Sequence, residues 1–220
     1  MVRTLLCVAC LCWSIEGQSL AQDAVQTDSA HYRVVFQDDQ VRVLRLTLGP
    51  HESGAVREHP NGVLVFLTAD LQGHMPPAEV QWQPAGPRQP EENVTNTSFE
   101  AILVEFLQPP AGQSPTLRIL SEWSGPLYPV DRPKITSLID NEWVSVRKER
   151  FPGTTRDDNI VVFPADTVFV YLNGGDLAGT STGGAIRARR GEVDVLPAHT
   201  LHRVENLGFD PVELIIIQPK

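Results

Sequence analysis

Two of the six histidines in this 220-residue chain, His199 and His202, stand three apart in the phrase GEVDVLPAHTLHRVEN, which runs from Gly191 to Asn206. On a helix that spacing would let both imidazoles share one metal, but this segment reads as a turn entering a strand. All three cysteines, Cys7, Cys10 and Cys12, fall inside the expected export segment described below. The mature chain is therefore expected to have no thiol for nucleophilic catalysis, metal binding or a disulfide. The stretch NGGDLAGTSTGG, Asn173 to Gly184, could cradle a phosphate, yet it lacks the Gly-Lys-Ser/Thr ending and the following helix that such a site needs. It reads as a flexible strand connection. Arg187, Arg189 and Arg190 form either a small anion-attracting patch or a solvated strand end. Asn93-Val94-Thr95 and Asn96-Thr97-Ser98 satisfy the glycosylation acceptor pattern, which coincidence explains as well as function does.

The elements that must position these residues are strands. Val41 to Leu46 and Val144 to Arg147 alternate apolar with polar residues, which suits a strand with one buried face. Val63 to Leu67, Ile102 to Leu107, Val168 to Leu172 and Val212 to Ile217 are nearly continuous apolar runs, which suits strands packed on both faces. No segment has a helical period of useful length, and 18 prolines and 16 glycines punctuate the chain. The fold class predicted is all-β, two sandwiches or barrels. Hydrophobic residues at 41% and charged residues at 20% give each half enough apolar material for a core.

A repeat divides the chain. The phrase AEVQWQPAGPRQPEEN, Ala78 to Asn93, is a weaker copy of Gly191 to Asn206. Upstream, Asp38 to Val43 lies over Asn141 to Val146 and His59 to Leu67 over Phe163 to Leu172; downstream, Phe99 to Val104 lies over Val212 to Ile217. The first residues place Arg3 before the apolar run Leu5 to Trp13, then Ser19 and Ala21, the pattern of a signal peptide over 1–21 cleaved after Ala21. The apolar run is too short for a spanning helix of about 20 residues. The expected organisation is this signal peptide, a loose segment to residue 30, an N-terminal barrel over 31–107, a proline-rich linker over 108–134 and a C-terminal barrel over 135–220. Thr116 to Leu120, within the linker, is apolar enough to form a strand packed on a barrel.

The two repeated phrases resemble the paired motifs of the cupin superfamily, small jelly-roll β-barrels, and their duplicated order resembles a bicupin. In the C-terminal copy Gly191, Pro197, His202 and Asn206 fall at the family's second-motif spacing, with His199 where the turn glycine usually sits; in the N-terminal copy Pro84, Gly86 and Asn93 match and Ala78 replaces the first glycine. The resemblance implies a metal pocket in each barrel mouth and oxygenase, isomerase or decarboxylase chemistry. Most ligand positions depart from it. In the N-terminal copy Arg57 and His59 stand at the two first-motif histidine positions, Gln89 stands at the second-motif histidine, and the glutamate position falls at about Val63 or Leu64. In the C-terminal copy Val161, Phe163 and roughly Val168 replace the first-motif ligands, leaving His202. An arginine repels a cation. No metal or other cofactor is expected, unless His51 and His199 lean into the mouths beside His59 and His202 to restore a site.

The function this reading favours is an exported, periplasmic or extracellular protein that binds a small anionic or polyhydroxy ligand without metal catalysis. Arg57, His59 and Gln89 would converge on it, with Trp82 either lining that cavity or packing on a strand face. The rival reading is a metal-dependent dioxygenase or isomerase using displaced ligands, such as His51, His59 and Glu58, or His74 and Glu79. A third is an interaction module that forms a homodimer through barrel edges. A net charge of −9 and a pI near 5.1 argue against nucleic acid as a partner, and no membrane association is expected once the signal is removed.

Overall fold

The computed structural model describes residues 24–74, 76–88, 90–112, 117–120, 133–154, 159–179 and 184–220. The expected signal peptide with its cleavage after Ala21, and Gln89, lie outside the described residues.

The first half contains α1 (Ala24–Thr27), β1 (Tyr32–Gln37), β2 (Val41–Leu48), β3 (Arg57–His59), β4 (Gly62–Phe66), β5 (Val80–Gln83), β6 (Gly86–Arg88) and β7 (Phe99–Phe106). After β8 (Leu117–Leu120), the second half contains β9 (Lys134–Asp140), β10 (Val144–Phe151), β11 (Asn159–Val162), β12 (Thr167–Tyr171), β13 (Gly175–Gly179), β14 (Gly184–Ala188), β15 (Val193–Leu196), β16 (Leu201–His202), β17 (Val204–Asn206) and β18 (Val212–Pro219). Among the described residues the regular structure is all-β apart from the single helical turn of α1.

Each half is built on a five-stranded antiparallel sheet with the same order, β1-β2-β7-β4-β5 in the first and β9-β10-β18-β12-β15 in the second. Facing these sheets are the pair β3-β6 in the first half, and β8-β11-β16 and β14-β13-β17 in the second. This two-layer arrangement is a jelly roll.

Alternation along the strands explains where the apolar residues go. Leu44, Leu46, Leu64, Phe66, Phe99, Ala101 and Leu103 fill the interior of the first half. Phe151, Phe163, Phe169, Tyr171, Leu177, Leu214 and Ile216 fill that of the second. The intervening residues on the same strands form a third core between the halves. Val41, Val43, Val63, Val65, Leu67, Ile102, Val104 and Phe106 meet Val144, Val146, Val168, Val170, Ile215 and Ile217 there, every one buried. Strands buried on both faces account for the continuous apolar runs.

Small features repeat as well. Asn93 and Asn206, at 0% and 1% exposure, tie the same turn in each half. His51 (φ 60°) and Thr154 (φ 55°) occupy equivalent left-handed positions after the second strand of each sheet, as do Ala78 (φ 71°) and Gly191 (φ 75°) before the fifth. His199 is left-handed too, at φ 61°.

Two expectations need correction. The segment before β1 is not loose throughout: α1 packs Ala24 into the first core at 1% exposure, and buried Asp28 accepts a bond from Ala55 N. The Gly-rich stretch contains a regular strand, β13, because its backbone amides find partners in β14 and β17. The apolar segment of the proline-rich stretch forms the strand expected of it, β8, which pairs with β11.

Candidate functional site

In the first half the inward-facing residues at one end of the sheet are polar. Arg42, Glu105, Gly62 and Gln83 lie side by side across β2, β7, β4 and β5. The Glu105 carboxylate is wholly buried, and Nε and a terminal nitrogen of Arg42 both reach its Oε2 at 2.7 Å. Opposite, β3 turns Arg57 and His59 inward and Glu58 outward, as an extended strand must. Arg57 is 3% exposed; its Nη1 lies 3.6 Å from Glu105 Oε1 and its guanidinium stacks 4.3 Å from the Tyr32 ring centre. Neither terminal nitrogen of Arg57 has a hydrogen-bond partner among the described residues. Tyr32 donates its hydroxyl to Glu91 at 2.9 Å, and burial, reinforced by Glu91, pushes its pKa up. His59 Nδ1 donates to the Pro60 carbonyl at 2.8 Å, while burial holds its pKa below the usual histidine value.

Trp82 does not join this group. It lies on the other face of β5, stacked on Phe106 at 6.1 Å and packed against the core between the halves. The cause is register: Gln81 and Gln83 take the inward positions and Trp82 the outward one. His51 is exposed in its turn, with Nε2 3.0 Å from Asn96 Oδ1.

The second half contains a cavity of about 300 Å³ that is partly open to solvent. Its walls include Phe169, Leu177, Ile186, Leu196 and Val204, and its polar groups are Tyr171, Asp194, Thr200 and His202. Tyr171 donates its hydroxyl to Asp194 Oδ2 at 3.0 Å, and burial, followed by Asp194, pushes the tyrosine pKa up. The His202 ring lies 4.8 Å from that of Phe169 and 6.1 Å from that of Phe163. Burial, with a smaller contribution from the Arg147 charge, lowers its pKa to about 4, so the imidazole is neutral at pH 7. Beyond His202, Arg147 Nε donates to Glu149 Oε1 at 2.6 Å, which pairs the two charges. His199 is exposed in a turn beside a separate crevice between the halves, so it is not gathered with His202.

Composition and motif spacing had not singled out Arg42, Glu105, Arg147, Glu149, Tyr171 or Asp194. The signal available was strand alternation. Glu105 breaks an apolar run, and Arg147 and Asp194 flank Ile216 and Phe169 in one row across the sheet. The corresponding row of the first half is Leu44, Leu103, Leu64 and Gln81.

The positions that would hold a metal in a cupin barrel do not fit one. The first half offers a guanidinium and one imidazole, and the second offers a valine, a phenylalanine and one imidazole. Among the described residues no three His, Cys, Asp or Glu side chains form a group able to hold a metal ion.

No protein-family model and no curated protein matches the sequence. Solved structures do match. AerE from Microcystis aeruginosa superimposes with a TM-score of 0.63 at 12% identity, covering 86% of this chain and 93% of that one. A cupin 2 conserved barrel domain protein from Leptotrichia buccalis gives 0.55 at 12% identity over 86% and 88%. Salicylate 1,2-dioxygenase from Pseudoaminobacter salicylatoxidans gives 0.57 at 12% identity over 81% and 68%. The chain therefore has the jelly-roll fold of cupin-domain proteins. At these identities the likeness speaks for fold alone.

Proposed function

We propose that the protein is an exported bicupin that binds a small molecule without a metal, and that the ligand occupies the cavity of the second half. The observation that carries this reading is the 300 Å³ space itself, apolar on most sides with Asp194, Tyr171 and His202 grouped among its walls. Ligand sites commonly have this make-up, an apolar lining with a few placed polar groups. A neutral imidazole and a carboxylate accept hydrogen bonds, so the ligand has an apolar body carrying hydroxyl or other donor groups. The test is a screen of small hydroxylated compounds by ligand-observed NMR, repeated with Ile186→Trp, whose larger ring would project into the cavity from the face that Ile186 shares with its strand partner Leu177. Binding lost in the filled variant supports the site; equal binding by both proteins overturns it.

A second reading places a small anion in the first half. It is supported by the buried Arg57 guanidinium, whose terminal nitrogens have no hydrogen-bond partner among the described residues. Thermal stabilisation by acetate or phosphate, reduced in Arg57→Lys, would favour it. The rival metal-dependent oxygenase, the chemistry named for the salicylate dioxygenase, requires near-stoichiometric metal in elemental analysis of untagged protein.

A further inference from the structure

The cavity of the second half holds a carboxylate with no opposing cation. Among the described residues no Lys or Arg lines it, and Tyr171 is the hydrogen-bonding partner of Asp194, on Oδ2 only. The nearest guanidinium belonging to the same sheet row, that of Arg147, is committed to Glu149 at 2.6 Å and lies against the smaller space on the other side of His202. Asp194 is held in place by register: it pairs with Phe169, so its side chain shares the inward face with that ring. Phe169 and Tyr171 both line the same space, and an aromatic ring attracts a cation that settles over its face. A partly buried carboxylate beside two aromatic residues in a largely apolar cavity is complementary to a protonated amine carried on an apolar body.

We infer that this cavity selects cationic amines, with the ammonium against Asp194 and the rings of Phe169 and Tyr171, and the apolar body against Leu177, Ile186 and Leu196. The inference rests on the reading of this cavity as the ligand site, and it narrows the ligand from hydrogen-bond donors in general to positively charged ones. It also sets the two halves apart, since the interior of the first half carries the buried Arg57 guanidinium, whereas the cavity of the second carries the Asp194 carboxylate. Neutral His202 adds no competing positive charge.

The test compares three ligands of nearly equal shape, 2-phenylethylamine, 2-phenylethanol and phenylacetate, by calorimetric or NMR titration of the full chain at pH 7. The amine should bind at least tenfold more tightly than the alcohol, and the acid should bind least. In Asp194→Asn, which keeps the size of the side chain and an acceptor for Tyr171, the preference for the amine should disappear while the alcohol still binds. Circular dichroism of that variant should match the parent. Equal binding of amine and alcohol, or an amine preference that survives Asp194→Asn, overturns the amine selectivity and leaves the cavity as a ligand site. Failure of all three ligands, or binding unaffected by Ile186→Trp, overturns the inference together with the site on which it rests.

Discussion

Asn93 and Asn206 make the same hydrogen bonds in the two halves of the chain. Nδ2 of Asn93 donates to the carbonyls of Leu48, Gly49 and Thr97 at 3.3, 2.8 and 2.8 Å. Nδ2 of Asn206 donates to those of Phe151, Pro152 and Asp210 at 3.2, 3.0 and 2.8 Å. In each case Oδ1 accepts a backbone amide two residues on, from Thr95 at 3.1 Å or Gly208 at 3.0 Å. One amide side chain thus clamps the end of the second strand of each sheet to the turn before the last strand. Replacing either by alanine strands buried carbonyls, and each variant should lose roughly 3 kcal/mol of stability in urea unfolding. A loss below about 0.5 kcal/mol would show that the turn holds itself.

The left-handed pair Ala78 and Gly191 predicts opposite effects of opposite substitutions. Ala78→Gly relieves a conformation that costs a side-chain-bearing residue about 1 kcal/mol, so it should raise the melting temperature. Gly191→Ala should lower it. An added Cβ would stand 2.8 Å from Leu67 Cδ1 and 3.2 Å from both terminal nitrogens of Arg45, across the junction of the halves.

Glu105 is the counter-charge for Arg42 and stands close to Arg57, inside the first half. Glu105→Ala removes the carboxylate that faces one buried guanidinium, Arg57, and one partly buried one, Arg42, and should destabilise by about 3 kcal/mol. Adding Arg42→Leu to that variant should restore part of the loss, because one of the uncompensated charges is removed. Absence of any recovery in the double variant would show that the pair does not act as a unit.

His202 should give stability a measurable pH dependence. Its folded pKa of about 4 lies below the ordinary value of 6.5, so the unfolded chain takes up the proton first as pH falls. Stability is unaffected above pH 6.5, declines as pH drops toward 4, and levels off below that, with a total loss of at most roughly 3 kcal/mol. His202→Asn should flatten this part of the profile when compared with the parent. An unchanged slope would place the proton uptake elsewhere.

How far the sequence was legible follows from what each residue had to do. The strands could be read because apolar runs and their repeat are direct consequences of burial on two faces. Arg57 and His59 could be placed inward because alternate residues of a strand share a face. For Trp82 nearness to the second motif left cavity lining and strand-face packing both open, and the pleat decides for packing on the side away from the cavity. Asp194 and Arg147 escaped notice because a charged residue in a strand usually faces water. Only the register against Phe169 and Ile216 reveals that these two face inward. The Gly-rich strand escaped for the reverse reason: glycine weakens intrinsic strand preference, and tertiary pairing with neighbouring strands overrides it.

The apolar wall between the two five-stranded sheets also governs how the molecule can be divided. Separated at the connection, each half would carry a broad greasy slab of valine, leucine, isoleucine and phenylalanine into water, large enough to drive clumping. The two halves are therefore obliged to mature together, and a damaged second half endangers the first even where its own interior is intact.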